Sequence, residues 1–360
     1  MSRASRSRPR LGFLGVGWIG RNRLEALAES GIVEIAAVCD AVPANARAAS
    51  EQVPCQVVGS PEELLESDLD GVVIATPSAL HANQAAAALE RGLAVFCQKP
   101  LGRTAAETAR VVDLARANDR LLGVDLSYRF LEGARRIRQL IQSGELGTIY
   151  AADLVFHNAY GPDKAWFYDP VLSGGGCVID LGIHLIDLAL WALNPTRVIE
   201  VSSRLYAGGE PLSKNPSAVE DYATAELILQ SGAAVRLACS WKLPAGCDAV
   251  IQASFYGTSG GASLSNVNGS FYDFTAARLH GTSREQLSSP PEAWGGRAAV
   301  DWAGRLARGS GFDPSSERLI ELAVLVDTIY GRSGPLEDTQ AADLLGVGEP
   351  LPAYPQTSAR

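Results

Sequence analysis

The chain has 360 residues, more than one ordinary core encloses and a comfortable length for two domains. Hydrophobic residues make up 47% and charged residues 20%, a globular composition with ample apolar material to bury. The formal net charge of -9 argues against a general affinity for nucleic acid or anionic membranes, while leaving room for a locally positive pocket.

Arg3, Arg6, Arg8 and Arg10 stand among serines at the start, and the apolar run after them is too short for a targeting core. A tail over 1–10 and a cytoplasmic address are therefore expected. No apolar stretch is read as approaching the length of a membrane span. Residues 11–14 read as a strand, 15–20 as a glycine turn and 18–29 as a helix. The apolar strand 33–39, an alanine-rich helix after Pro43, the strand 71–75, a helix over 80–91, the strand 93–97, a helix over 104–118 and the strand 121–124 follow. Continuous apolar strands alternating with amphipathic helices predict a parallel sheet covered on both faces, an α/β domain over 11–126.

The rhythm then changes. Residues 131–142 read as a helix, 149–157 as a strand, and 178–193 as a helix preceded by three glycines. Extended stretches at 198–206, 222–229, 234–241, 249–256 and 262–267, with no helices between them, predict a large, mostly antiparallel open sheet. Residues 282–311, rich in Pro, Gly, Ser and Trp, read as irregular, and 316–330 as a helix. This second α/β domain spans 127–345 and leaves a tail at 346–360. The six cysteines include no Cys-x-x-Cys pair and several lie in apolar runs, so reduced thiols and no metal are expected.

Gly15-Val-Gly17-Trp-Ile-Gly20 follows a strand and opens a helix. In that setting the first glycine permits the tight turn, the second lets the backbone approach a diphosphate, and the third lets helix pack on strand. A dinucleotide would then meet the free N–H groups and positive dipole end at Trp18 and Ile19. Asp40, about 20 residues beyond the motif, suits a hydrogen bond to the adenosine ribose and would repel a 2′-phosphate. NAD is therefore preferred over NADP, with Arg47 the one nearby cation that argues the other way.

Lys99, in Gln98-Lys99-Pro100, follows an apolar strand and so sits at the carboxyl edge where open α/β sheets bind ligands, although a solvated lysine is an equal reading. On one helix, Asp180, His184 and Asp187 share a face. The plain alternatives are a helix N-cap for Asp180, a core histidine for His184, and for Asp187 a partner that orients it. A metal site lacks an obvious further ligand.

The glycine turn, Thr76-Pro77 with His81, the Lys99-Pro100 pair and the run Gly174-Gly-Gly-Cys-Val-Ile-Asp180-Leu-Gly-Ile-His184 together resemble the glucose-fructose oxidoreductase / inositol 2-dehydrogenase / rhizopine-catabolism (Gfo/Idh/MocA) family, over residues 11–345. The resemblance implies a Rossmann domain and a C-terminal α/β domain whose open sheet often forms an oligomer interface, hence a homo-oligomer, dimer or tetramer. It also implies NAD(P)-dependent hydride transfer at a secondary alcohol or ketone of a sugar, inositol or related polyol. Thr76, Pro77, His81 and Gln98 would line the cofactor with Lys99. Lys99 would hold the reacting oxygen, His184 would be the general acid/base, and Asp180 would help hold substrate. The chemistry agrees: carbinol oxidation needs a base within reach, histidine titrates near neutrality, and an ammonium stabilises a developing alkoxide.

The family commonly has glutamate where this chain has Gln98. Were the two side chains close, the lost negative charge would lower the pKa of Lys99; as strand neighbours they point to opposite faces, which would instead turn Gln98 toward the cofactor. Further substrate-wall candidates are Arg129, His157, Asn158, Tyr160, Trp166 and Tyr168, each equally a packing residue. Trp18 could cover the nicotinamide or pack on the second domain. The cluster Arg135, Arg136 and Arg138 reads as a solvated helix face. Two other functions share the scaffold: an NAD-using glycosidase with transient oxidation, and a non-catalytic NAD-binding regulator.

Overall fold

The computed structural model describes residues 8–195, 197–212 and 217–332; most of the first tail and all of 346–360 lie outside the described residues. Two compact units form. One is the chain through Ser127 together with Trp294–Leu319; the other is Tyr128–Ala293 together with the chain from Ile320.

In the first unit β1 (Arg10–Leu14), α1 (Trp18–Ser30), β2 (Glu34–Cys39), α2 (Pro43–Gln52), β3 (Gln56–Val57), α3 (Pro61–Glu66), β4 (Gly71–Ile74), α4 (Ser78–Glu90), β5 (Ala94–Cys97), α5 (Ala105–Ala117) and β6 (Leu122–Val124) alternate. The strands pair in parallel in the order β3-β2-β1-β4-β5-β6. β4 and β5 are buried at every residue, which is why they read as unbroken apolar runs. The order reverses between β1 and β4, so the crevice for a ligand opens at their carboxyl ends, where the loops beginning at Gly15 and Ala75 lie. β3 and α3 were not expected. Ser60 accepts from the Glu63 N–H, the Glu63 carboxylate accepts from the Gly59 N–H, and Pro61 begins the helix, so the start signal is present in the sequence.

The stretch expected to be irregular, 282–311, contains a strand and the helix Arg297–Ala307. That helix lies against the first sheet: Trp302 is 5.7 Å from the Phe96 ring, centroid to centroid. A Cβ on Gly123 would stand 2.7 Å from the Trp302 ring and one on Gly71 2.9 Å from it, so two glycines make room for one indole. A proline- and glycine-rich composition marks the approach to this helix and hides the amphipathic turns behind it.

The second unit runs α6 (Glu132–Gln142), β7 (Ile149–Asn158), α7 (Pro170–Ser173), α8 (Ile183–Leu193), β8 (Val198–Ala207), β9 (Glu210–Pro211), β10 (Tyr222–Leu229), β11 (Ala234–Ser240), β12 (Ala249–Gly257), β13 (Gly260–Asn266), β14 (Phe274–His280) and β15 (Ser283–Ser288), and the helix Arg318–Ile329 enters it at Ile320. Its nine-stranded sheet has the order β15-β14-β13-β12-β7-β11-β10-β8-β9, antiparallel at every pair but β7 with β11. β10 alternates buried and half-buried residues, the signature of a sheet with one covered face. α6 packs on β13 and β14, and α8 on β7 and β11. The opposite face carries Asp153, Thr224, Glu226 and Arg236, with Arg236 paired to Asp153 at 2.8 Å.

One expectation is corrected by the run Pro170–Leu193. By length and composition it could cross a bilayer, with mean hydropathy 1.7. Its most apolar 18-residue window is 83% buried inside the protein, and α8 is its core helix, buried at nine of its eleven residues, Asp187 among them.

Candidate active site

In the first unit the glycine turn has the geometry of an anion cradle. Gly15 has φ +84°, and a Cβ there would meet the Ala75 carbonyl at 2.5 Å. A Cβ on Gly20 would stand 2.2 Å from the Gly15 oxygen, so this residue lets α1 close on the turn. A Cβ on Gly17 would meet nothing within 4 Å. Its bareness serves no protein contact and leaves the backbone open to a ligand. Gly17 caps α1 without a side-chain bond, and no acidic residue stands in the first turn. The amide end of a 13-residue helix is thus left for an anion, which fits the diphosphate of a dinucleotide. Trp18, next to it, is 68% exposed.

Asp40 is tied into the same turn. One carboxylate oxygen accepts from the Val16 N–H at 2.8 Å, the other from the Val42 N–H at 2.8 Å and the Asn45 amide at 3.2 Å. The carboxylate therefore holds the glycine turn through the chain's own amides. Arg47 is exposed on α2.

His81, expected beside the cofactor, is fastened to two main-chain carbonyls of its own unit. It is buried, and its Nε2 and Nδ1 lie 2.7 Å from the carbonyls of Thr76 and Pro100. Burial pushes its imidazole below the ordinary value and Lys99 adds to this, against the pull of the two carbonyls. It fastens the loop after β4 to the loop after β5, and so positions Thr76-Pro77 and Lys99. The Thr76 hydroxyl donates to Gln84 at 2.6 Å. Lys99 itself is half-buried at the end of β5. Gln98 turns inward, and its amide donates to the Asp125 carboxylate, which Arg23 of α1 also holds at 2.6 Å.

In the second unit the expected helix over 178–193 begins as a π-turn, Val178–Gly182, before α8. Such widened turns gather at functional sites. Asp180 lies in it, and its carboxylate accepts from the Trp241 indole N–H at 3.0 Å. Trp241 is met edge-on by Phe167 and Tyr168, and the adjacent Trp166 stacks on Phe167 at 3.8 Å. His184, one turn on, stands 5.0 Å from the Tyr128 ring, whose hydroxyl is raised by burial and secondarily by Asp180. Asp180, His184, Tyr128 and Trp241 thus form one cluster.

The turn is pinned from behind by Glu220, only 1% exposed. Its carboxylate accepts from the N–H groups of Gly176 and Val178 and from the Tyr330 hydroxyl at 2.7 Å, while its own carbonyl accepts from the Cys177 N–H. Burial pushes the Glu220 carboxyl up against these bonds. A Cβ on Gly176 would lie 1.9 Å from the Glu220 main-chain carbonyl oxygen, and one on Gly175 2.1 Å from the Tyr330 hydroxyl, which is why the run needs its glycines. Tyr330 in turn carries the Arg332 guanidinium over its ring at 4.1 Å.

Asp187 does not orient His184. It is buried and accepts a forked pair from Arg129, so Arg129 is anchored inward as well. His157 stacks on Tyr222 and bonds Ser240 at 2.7 Å. The Asn158 side chain accepts from the Tyr160 N–H, and the exposed Tyr160 donates its hydroxyl to Asp248 at 2.6 Å. Each of these polar side chains thus has a hydrogen bond within the second unit. Arg136 pairs with Glu132, while Arg135 and Arg138 lie over Phe130 and Trp191, a helix face partly engaged in packing. Trp241, Glu220, Tyr330 and Asp125 were not singled out from the sequence, where nothing local marks them.

Known proteins share this architecture. Residues 10–126 match the model of the oxidoreductase family with an NAD-binding Rossmann fold, and residues 134–263 that of the GFO/IDH/MocA C-terminal domain. The rhizopine catabolism protein MocA of Rhizobium meliloti is 32% identical over 218 residues, 59% of this chain and 67% of MocA. The D-glucoside 3-dehydrogenase of Escherichia coli (strain K12) is 29% identical over 244 residues, 64% of this chain and 70% of the enzyme. KijD10, a 3-ketoreductase from Actinomadura kijaniata solved with NADP and TDP-benzene, superposes with a TM-score of 0.77 at 21% identity over 90% of this chain and 97% of its own.

Proposed function

Since the chain belongs to the Gfo/Idh/MocA family, we propose that Lys99 and His184 flank a sugar carbinol at its nicotinamide site, with Asp180 holding a neighbouring hydroxyl. The chain is an NAD(P)-dependent oxidoreductase acting on a secondary alcohol or ketone of a sugar or polyol. The observation that carries this reading is the open amide end of α1 at Gly17, a place kept bare for a ligand's phosphates. When bound, the nicotinamide supplies or takes the hydride. His184 moves the hydroxyl proton, and the Lys99 ammonium steadies the charge on the reacting oxygen. Trp241 fixes the Asp180 carboxylate for its role in orienting substrate.

NAD is preferred over NADP in this reading. Asp40 at the end of β2 would repel a 2′-phosphate, and Ala41 and Val42 supply no cation for one. A cytoplasmic homo-oligomer, associating through the uncovered sheet face and using small sugars or cyclitols as its partners, completes the proposal.

The test follows nicotinamide absorbance with a panel of sugars, inositols and keto-sugars, led by glucosides and their 3-keto forms. Lys99→Ala and His184→Ala should each lower turnover by roughly two to four powers of ten while NAD binding survives. Equal loss of binding and turnover would remove both residues from the chemistry. Glycoside cleavage without net NADH would favour the transient-oxidation reading instead.

A further inference from the structure

Parallel register sets Cys97 beside Val124, and the next step along both strands sets Gln98 beside Asp125. The Asp125 N–H donates to the Cys97 carbonyl at 2.9 Å, locking that step. Asp125 is 1% exposed, and Arg23, 7% exposed, approaches it from α1. One carboxylate oxygen takes both the Arg23 Nε–H at 2.6 Å and the Gln98 amide N–H. The other oxygen is buried with no hydrogen-bond partner among the described residues. The groups facing the pair are Arg23 from α1 and the Cys97 thiol from β5, which burial and then Asp125 push up, with Lys99 next along the chain.

Resting on the oxidoreductase reading, we propose that Asp125 is a positioning residue: held by Arg23, it ties the helix that receives the cofactor to the loop that carries Lys99, through Gln98. Residue 98 must then be a neutral donor. A glutamate there would set a second carboxylate against the buried one, with a single guanidinium between them, and the two would share a proton. The glutamine beside Lys99 is thus explained by the aspartate one strand away. Charge absent at position 98 is present at position 125, already neutralised.

The experiment compares Gln98→Glu, Gln98→Met and the exchanged pair Gln98→Glu/Asp125→Asn. Melting of the protein without cofactor and NADH affinity by fluorescence titration are both read from pH 5 to pH 8. In Gln98→Glu the new carboxyl has a raised folded-state pKa, so its stability is complete below the ordinary glutamate value and is lost as pH rises through the raised one. Its melting temperature should fall away from the parent's as pH rises. NADH binding should weaken roughly tenfold at pH 8 and less than about threefold at pH 5. The exchanged pair should return to within about threefold of the parent at both values, because a neutral donor again faces one carboxylate. Gln98→Met loses the donor without adding charge, so any loss it shows should not vary with pH. A Gln98→Glu protein that tracks the parent across pH, or an exchanged pair no better than Gln98→Glu, overturns the proposal. The melts need no cofactor: if they follow the expected order while even the parent fails to bind NADH, the oxidoreductase reading falls and the charge exchange stands.

Discussion

Gly17→Ala separates what the protein needs from what the ligand needs. The added methyl meets no protein atom within 4 Å, and the backbone, at φ -62° and ψ -166°, is open to alanine. The only intrinsic cost is that of alanine at a helix N-cap, about 1 kcal/mol, or a fall of roughly 2–4 °C in melting temperature for a unit of this size. A diphosphate resting on the same backbone would be pushed off it. Losing one or two charge-assisted N–H contacts at about 1.5–3 kcal/mol each gives about 3 kcal/mol, or roughly two powers of ten in Kd. Gly20→Ala is the contrasting control. Its methyl would stand 2.2 Å from the Gly15 oxygen and 3.3 Å from the Ala75 Cβ, so overpacking should cost about 3 kcal/mol of stability. Calorimetric titration with NADH beside thermal melts decides it. Gly17→Ala binding within threefold of the parent would refute the cradle.

The same approach extends to the second unit. Glu220→Gln sets an N–H against one of the three donors that the carboxylate now accepts, and should cost about 2 kcal/mol in urea melts. Because burial raises the Glu220 pKa, its contribution is complete below the ordinary glutamate value and declines as pH rises through the raised one, so the gap between parent and variant should narrow with rising pH. Trp241→Phe removes the donor to Asp180 and should lower kcat/KM roughly tenfold at saturating cofactor; a change under about twofold would detach Asp180 from substrate.

Local order was legible from residue pattern alone. The continuous apolar strands of the first sheet, the glycine turn opening α1 and the alternating strands after residue 198 each carry their signal within a few residues, because backbone sterics and side-chain periodicity act over that range. The same is true of the order of motifs that marks the family. Lys99, Asp180 and His184 could be named as candidates, but not their surroundings. β9 and β15 carry no strong apolar pattern because edge strands bury little, and β14, which buries Phe274, Ala276 and Ala277, breaks strict alternation.

Tertiary structure alone decided the rest. Gln98 finds Asp125 across 27 residues, Arg23 finds it across 102, Glu220 reaches back 44 to Gly176, and Tyr330 closes on Glu220 across 110. The return of Trp294–Leu319 to the first unit, the π-turn at Asp180 and the pairing of Arg129 with Asp187 belong to the same class. A buried polar group must be satisfied, yet its own neighbours in the chain do not say by whom. Periodicity shows which residues turn inward; only the closed packing assigns each buried charge and donor its partner.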